Sequence, residues 1–235
     1  MEKVTCDALE TLERLKKVAE DYLPNEWLHK PGSVLASHIS TVQKGRIYLV
    51  GINPGRKAGQ SPTLEETIEE SLEGLKKGEP HSYVYGKWHP HQLDGGDALQ
   101  LRARWLCEQL SVDIETICTS NGVFLRGHEQ PKSAKYKEDF EKCWPVHKFL
   151  LEQVKPDVII AYGERAWKAF FSKLEDGREQ PVCECDYKFK GWLKRGCFPE
   201  LGRNVAVFGI PHLSRYTPDA CTIKELRLEL SGERA

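Results

Sequence analysis

The sequence predicts an α/β protein, a three-layer α/β/α sandwich around a four-stranded parallel sheet. Four short apolar runs are bracketed by turn residues and are typical of buried strands, at 46–51, 114–124, 157–162 and 204–208. Helix-patterned segments separate these runs, and strands that alternate with helices pair in parallel. The 235 residues are 40% hydrophobic. We therefore expect one domain over residues 1–235.

Helix signals occur before, between and after the strands. Leucines at 9, 12 and 15 recur at helical spacing and predict a helix over 5–23, which Pro24 ends. Ser61 and Pro62 are typical of the N-cap and first position of a second helix. The helices predicted after the first strand span 62–77, 97–110, 136–154, 164–174 and 219–230. Pro145 predicts a kink or break in the third of these, 136–154.

Two segments fall outside the strand and helix pattern. Residues 78–96 form a long loop rich in aromatic residues, histidine and glycine, and a loop of this length in a compact domain is usually functional or disordered. The aromatic content favours function. Residues 176–202 are a basic, aromatic insertion, for which a hairpin is one interpretation.

Composition restricts the cellular setting. The formal net charge is −1, so only a local basic patch would indicate nucleic-acid binding. The sequence shows no secretory or membrane-spanning segment, which predicts a cytoplasmic or nuclear protein that is not secreted. We also expect a monomer.

Neither of two clusters of potential ligands predicts a metal. The eight cysteines are expected to be reduced thiols. Cys183, Cys185 and Cys197 lack a fourth ligand and the usual spacing, and the histidines at 81, 89 and 91 lack a suitably spaced carboxylate. No metal or cofactor is expected.

Polar residues follow three of the predicted strands. Asn53 lies in Gly-Ile-Asn-Pro-Gly, Asn121 lies within the second strand segment, and His212 follows the fourth strand. Parallel strands bring their carboxyl ends to one edge, where ligands bind in open α/β sheets. Each residue alone also fits a turn, bulge or packing role. Their coincidence predicts a hydrogen-bonding site rather than a nucleophilic one.

The same residues resemble motifs of the uracil-DNA glycosylase superfamily, over about residues 45–225. The stretch 51–55, Gly-Ile-Asn-Pro-Gly, is similar to the first motif of the mismatch-specific and single-strand-selective branches. Residues 211–214, Pro-His-Leu-Ser, resemble the second motif, with Leu213 in place of a proline. Asn121 resembles the pyrimidine-reading asparagine, and 155–163 resembles the third strand. Asn53 stands where the classical branch has an aspartate.

The resemblance implies a uracil-DNA glycosylase-like fold and a monofunctional glycosylase that removes uracil or a related deaminated base from DNA. It implies that Asn53 orients water and that His212 stabilises the departing base. Asn121 reads the base. The rest of the first motif would line the base site: Gly51, Ile52, Pro54 and Gly55.

Aromatic and basic residues complete the expected interface. The stacking candidates on the base are Tyr83, Tyr85 and Trp88, and core packing is the competing interpretation for each. The candidates for DNA contact are Ser214, Arg215, Tyr216, Lys190 and Arg195. Arg215 or Tyr216 would fill the gap left by an extruded base, unless this segment is an ordinary solvated loop.

Two other functions remain open from the sequence. One is a superfamily member that binds a base or DNA with little or no cleavage. The other is a nucleotide-processing α/β enzyme unrelated to DNA. Asn53 and Leu213 favour the first of these, because they depart from motif residues of the superfamily.

Overall fold

The computed structural model describes residues 2–55, 62–68, 70, 81–86, 93–126, 133–182, 191–199 and 201–232. Its strands are β1 (Ile47–Gly51), β2 (Cys118–Asn121), β3 (Val158–Tyr162), β4 (Gln180–Pro181), β5 (Trp192–Phe198) and β6 (Arg203–Ile210). Its α-helices are α1 (Glu2–Tyr22), α2 (Asn25–Leu28), α3 (Ser82–Tyr85), α4 (Ala98–Gln109), α5 (Ser133–Val154), α6 (Glu164–Phe171) and α7 (Ala220–Ser231). Residues 64–68 are also helical.

The six strands form one mixed sheet in the order β2-β1-β3-β6-β5-β4. The first four are parallel to one another, whereas β5 runs antiparallel to both β6 and β4. The prediction of a four-stranded parallel sheet is therefore wrong. The basic insertion supplies the two further strands, because β5 pairs with β6 along its whole length, from Trp192 opposite Gly209 to Phe198 opposite Arg203.

The core lies on both faces of this sheet. Along β1, Tyr48 and Val50 belong to the apolar cluster that includes α1, α5 and α6. Ile47 and Leu49 belong to the cluster that includes α4 and α7. Alternate residues of one strand are thus buried under helices on opposite sides, as expected when a parallel sheet is covered on both faces.

Local sequence explains where several elements begin. Asp97 forms a capping box with Gln100 at the start of α4, and Asp219 accepts a hydrogen bond from Thr222 at the start of α7. The predicted second strand is shorter than expected, because Ile114–Thr116 forms a 3-10 turn capped by Asp113. Pro145 does not break α5, which continues to Val154.

Helices of the described segments are amphipathic or short. None of them has both the length and the apolar composition required to cross a bilayer.

Candidate functional site at the carboxyl edge of the sheet

Register places the ends of the four parallel strands side by side. Gly51, the last residue of β1, lies opposite Asn121, the last residue of β2. Tyr162 and Ile210, the last residues of β3 and β6, are also partners. The segments that follow these strands therefore leave the sheet at one edge, which is where Asn53, Asn121 and His212 were predicted to meet.

Backbone hydrogen bonds continue beyond the strand ends. The amide of Gly122 donates to the carbonyl of Gly51 at 2.8 Å, and the amide of Val123 donates to the carbonyl of Ile52 at 3.0 Å. On the other side, the amide of Gly163 donates to the carbonyl of Ile210 at 2.9 Å. These bonds fix the edge backbone, so the side chains that it carries have defined positions.

Gly51 leaves room for two polar side chains. A Cβ at this position would overlap both the Tyr162 hydroxyl oxygen and the Asn121 Oδ1 atom, so glycine allows both groups to lie against the backbone. Asn121 is only 6% exposed, and its side-chain amide makes no hydrogen bond to any described residue. The amide atoms are not among the fully buried side-chain atoms that lack a partner, so a ligand or water at the sheet edge can satisfy them.

The Gly-Ile-Asn-Pro-Gly turn is tied to its neighbours. Ile52 and Pro54 are buried, whereas Asn53 is half-buried and Gly55 is exposed. The Nδ2 of Asn53 donates to the Pro54 carbonyl at 3.3 Å. The Arg126 guanidinium donates to the carbonyl of Gly55. The amide oxygen of Asn53 remains available as an acceptor, but the turn holds no carboxylate.

His212 is held in one tautomer by Ser214. The backbone amide of Ser214 lies 3.3 Å from Nδ1, and the Ser214 hydroxyl lies 2.8 Å from the same nitrogen. A backbone N–H only donates, so Nδ1 is the acceptor and Nε2 carries the proton. Burial, and then the nearby positive charge of Arg215, lower the pKa of His212. The ring is a neutral donor at pH 7.

The loop that carries His212 is compact. The His212 carbonyl accepts the amides of Arg215 at 2.9 Å and Tyr216 at 3.1 Å. From α4, the Arg102 guanidinium donates to the carbonyl of Leu213 at 2.9 Å. Leu213 is fully buried, while the side chain of Arg215 is exposed. Leu213 thus anchors the loop in the core, and Arg215 extends into solvent.

A cleft of about 670 Å³ opens beside His212, towards α6 and β5. Arg165, Lys168 and Arg215 lie along it, and Lys168 is paired with Glu164 at 2.5 Å. The cleft therefore brings basic side chains close to the end of β6, together with Glu164 and Glu179.

The remaining predicted site residues are dispersed. Tyr83 is buried near the strand ends, whereas Tyr85, two residues later, is 50% exposed. Arg195 is bonded to Glu229 at 2.6 Å and shares a cleft with Asp157, which precedes β3, so the structure does not bring it to the carboxyl edge. Trp88 and Lys190 lie outside the described residues, as do the cysteines at 183 and 185.

Tyr162 is a site residue that sequence reasoning missed. Its hydroxyl lies 2.6 Å from the hydroxyl of Tyr83, and its ring packs edge-on against His212 with centroids 5.4 Å apart. The only sequence signal was its place as the last residue of an apolar strand, and that pattern equally fits a core tyrosine.

His147 is a second residue that the sequence did not predict. It lies in the core and holds the backbone just after β2. It is fully buried: its Nδ1 accepts from the Tyr48 hydroxyl at 2.9 Å, and its Nε2 donates to the Gly122 carbonyl at 3.1 Å. Burial lowers its pKa to about 4. No sequence signal links these residues, because Tyr48 and His147 are 99 positions apart.

The arrangement combines an unpaired amide with a neutral imidazole donor and a hydroxyl pair. Such a set recognises a flat polar ring by hydrogen bonds and stabilises negative charge on it. No model of a known protein family matches the chain, and no curated protein matches it.

Proposed function

We propose that the protein is a monofunctional DNA glycosylase that extrudes uracil or a related deaminated base and hydrolyses its glycosidic bond. The observation that carries this proposal is the buried amide of Asn121, which has no partner among the described residues and lies at the same sheet edge as the neutral imidazole of His212. The motif resemblance given above supports the same assignment.

Asn121 supplies recognition of the base. Its amide can donate to a carbonyl oxygen and accept from a ring N–H, which is the pattern of uracil at O4 and N3. Cytosine presents the opposite pattern. Each buried polar group left unpaired by the wrong base costs about 1–3 kcal/mol, so the amide favours a deaminated base.

His212 supplies charge stabilisation. Cleavage leaves negative charge on the departing base, mainly at O2 of a uracil, and the Nε2 proton fixed by Ser214 is a donor for that oxygen. Because the ring is neutral, the hydrogen bond strengthens as charge develops and no counter-charge has to be desolvated in the ground state.

Asn53 orients the attacking water. An amide cannot remove a proton, so its contribution is to hold the water against the sugar as the glycosidic bond lengthens. The turn is fixed through the carbonyls of Pro54 and Gly55. We expect such an enzyme to be slower than one with a carboxylate at this position.

DNA binding follows from the need to reach the base. A base stacked in a duplex is inaccessible, so the nucleotide has to be extruded, at a cost that is smallest for single strands and mispairs. Arg215 is exposed next to His212 and lies along the cleft with Arg165. These cations are suited to the phosphates beside the extruded nucleotide.

The test is cleavage of a panel of oligonucleotides. Single and double strands that carry uracil, hypoxanthine, xanthine or a mispaired thymine are incubated with wild type, Asn53→Ala and His212→Ala. We expect His212→Ala to lower the single-turnover rate constant by about 10²–10³-fold and Asn53→Ala by about 10–100-fold. Asn204→Ala, an exposed asparagine at the opposite edge, is the matched control and should cleave like wild type.

A second candidate function is base or DNA binding without efficient cleavage. It is favoured by one observation: Asn53 is the polar side chain of the turn, and it cannot act as a base. Wild type that binds a modified oligonucleotide tightly but forms no abasic product would support this candidate. A wild type that neither binds nor cleaves any strand would contradict both.

A further inference from the structure

The two buried tyrosines at the strand ends form a hydroxyl pair. Tyr162 ends β3 and Tyr83 comes from the short helix α3, and each is 2% exposed. Their hydroxyl oxygens are 2.6 Å apart. The side chain of His81 accepts a hydrogen bond from the backbone amide of Tyr83 at 3.2 Å and so caps the start of α3.

Tyr162 lies close to both side chains that we propose bind the base, Asn121 and His212. Its hydroxyl lies against the backbone of Gly51, next to Oδ1 of Asn121, and its ring packs against His212. Tyr162 thus lies between the base-reading amide and the imidazole. A ring held by both of these residues would have the Tyr162 hydroxyl at the edge that carries its carbonyl oxygens.

The hydroxyl pair has one proton to spare. Two hydroxyls hold two protons, and their mutual hydrogen bond uses one. Burial raises the pKa of Tyr83 well above 10, and the hydrogen bond from Tyr162 raises it further. Burial raises the pKa of Tyr162 to about 12, while its hydrogen bond with Tyr83 opposes the rise. Both hydroxyls therefore keep their protons at neutral pH, and either can donate within the pair. When Tyr83 donates, the proton of Tyr162 is free for another acceptor.

We propose that Tyr162 is a further base-binding residue, whose hydroxyl donates a hydrogen bond to a carbonyl oxygen of the extruded base while Tyr83 orients it. This inference rests on the function proposed above. It adds a second donor to the amide of Asn121, so the site favours bases with oxo groups over bases with amino groups. It also explains why β1 ends in glycine, since any side chain at residue 51 would displace this hydroxyl.

A matched pair of variants separates ligand contact from structural support. Tyr162→Phe and Tyr83→Phe remove the same hydrogen bond of 2.6 Å and keep both rings, and the melting temperature of each variant measures the structural cost. Only Tyr162 lies against Gly51 and His212. We expect Tyr162→Phe to lower the single-turnover rate constant about tenfold, and Tyr83→Phe to lower it about twofold.

The decisive measurement pairs these variants with altered bases. Oligonucleotides carry the base that wild type cleaves fastest, or that base with one carbonyl oxygen replaced by sulfur, which is a weak acceptor. If Tyr162 binds that oxygen, the sulfur substitution should slow wild type and Tyr83→Phe at least threefold more than it slows Tyr162→Phe. The position that shows this coupling identifies the oxygen.

The outcomes distinguish the inference from the function on which it rests. Additive effects at every thiocarbonyl position, in a wild type that cleaves the unmodified base, would overturn the role of Tyr162 and leave the glycosylase proposal standing. Equal losses of rate in Tyr162→Phe and Tyr83→Phe would have the same meaning. A wild type that cleaves no base would overturn both.

Discussion

Two histidines of this protein occupy contrasting regions, one in the core behind the sheet edge and one in the loop above it. His147 is fully buried and both of its ring nitrogens are bonded, to the Tyr48 hydroxyl and the Gly122 carbonyl. His212 is half-buried, and only its Nδ1 has a partner among the described residues. His147, with both nitrogens bonded, supports the fold. His212 has one nitrogen left to bind a ligand.

Burial is the main cause that lowers the pKa of both histidines, but the neutral ring has a different role in each place. Burial keeps His147 neutral among Phe124, Phe140 and Phe170, where a charge would have no compensation. At His212, burial and Arg215 keep the ring neutral while Ser214 selects its tautomer. Three experiments test whether His147 supports the fold and His212 the chemistry.

Replacing His147 should affect stability far more than replacing His212. His147→Phe keeps an aromatic ring in the core but removes the buried hydrogen bonds to the Tyr48 hydroxyl and the Gly122 carbonyl. At about 1–3 kcal/mol for each buried group, we expect the free energy of unfolding to fall by about 2–6 kcal/mol. Urea denaturation measures it. His212→Ala should lower the free energy of unfolding by less than about 1 kcal/mol. A larger loss would mean that His212 also supports the fold.

Acid should destabilise the fold through its buried histidines. The pKa values of His147 and His81 are lowered to about 4, whereas an unfolded histidine titrates near 6.5. Between these values the unfolded chain binds protons that the folded chain does not, so stability falls as the pH falls through this window. Each histidine contributes a loss on the order of 3 kcal/mol by pH 4.

The same titration assigns part of that loss to one residue. His147→Phe lacks one of the two groups, so its free energy of unfolding should fall by about 3 kcal/mol less than that of wild type between pH 7 and pH 4. Chemical denaturation at several pH values provides the comparison. Parallel curves for wild type and the variant would show that His147 does not titrate in this way.

The smallest expected effect concerns the tautomer of His212. Ser214→Ala removes the hydroxyl at 2.8 Å but keeps the backbone amide on Nδ1, so the ring is held less firmly. We expect the cleavage rate constant to fall by about two- to fivefold, with the melting temperature unchanged. Ser231→Ala, a serine in the exposed last turn of α7, is the control. A loss as large as that in His212→Ala would mean that the hydroxyl itself contacts the substrate or DNA.

The sequence was most informative where parallel strands end. Parallel pairing brings carboxyl ends together regardless of the distance along the chain, so Asn121 and His212 were expected at one edge with the Gly51 turn, and the structure places them there. The α/β class and the places of the four parallel strands along the chain were predicted from apolar runs and their turn residues. Apolar runs and turn residues depend on neighbouring positions in the chain, so they can be read from the sequence.

The missed features depend on contacts between distant residues. The insertion adds β5 and β4 to the sheet, which requires pairing with β6 rather than a pattern within the segment. Tyr162 ends an apolar strand and was indistinguishable from a core residue. Arg195 was predicted to bind DNA from its basic, aromatic surroundings, yet its charge is matched by Glu229. Composition alone does not indicate which charges are already paired.

The compact loop after His212 should also affect the rate at which the protein associates with a partner. Its amides at Arg215 and Tyr216 both bond to the His212 carbonyl, and α4 holds it through Arg102. A loop that is ordered before it meets its partner loses little conformational entropy on contact. Encounter with a strand would then be limited by diffusion and charge attraction rather than by loop rearrangement. Under the proposed function, such a surface would test many positions along DNA quickly and remain bound only where a base is extruded.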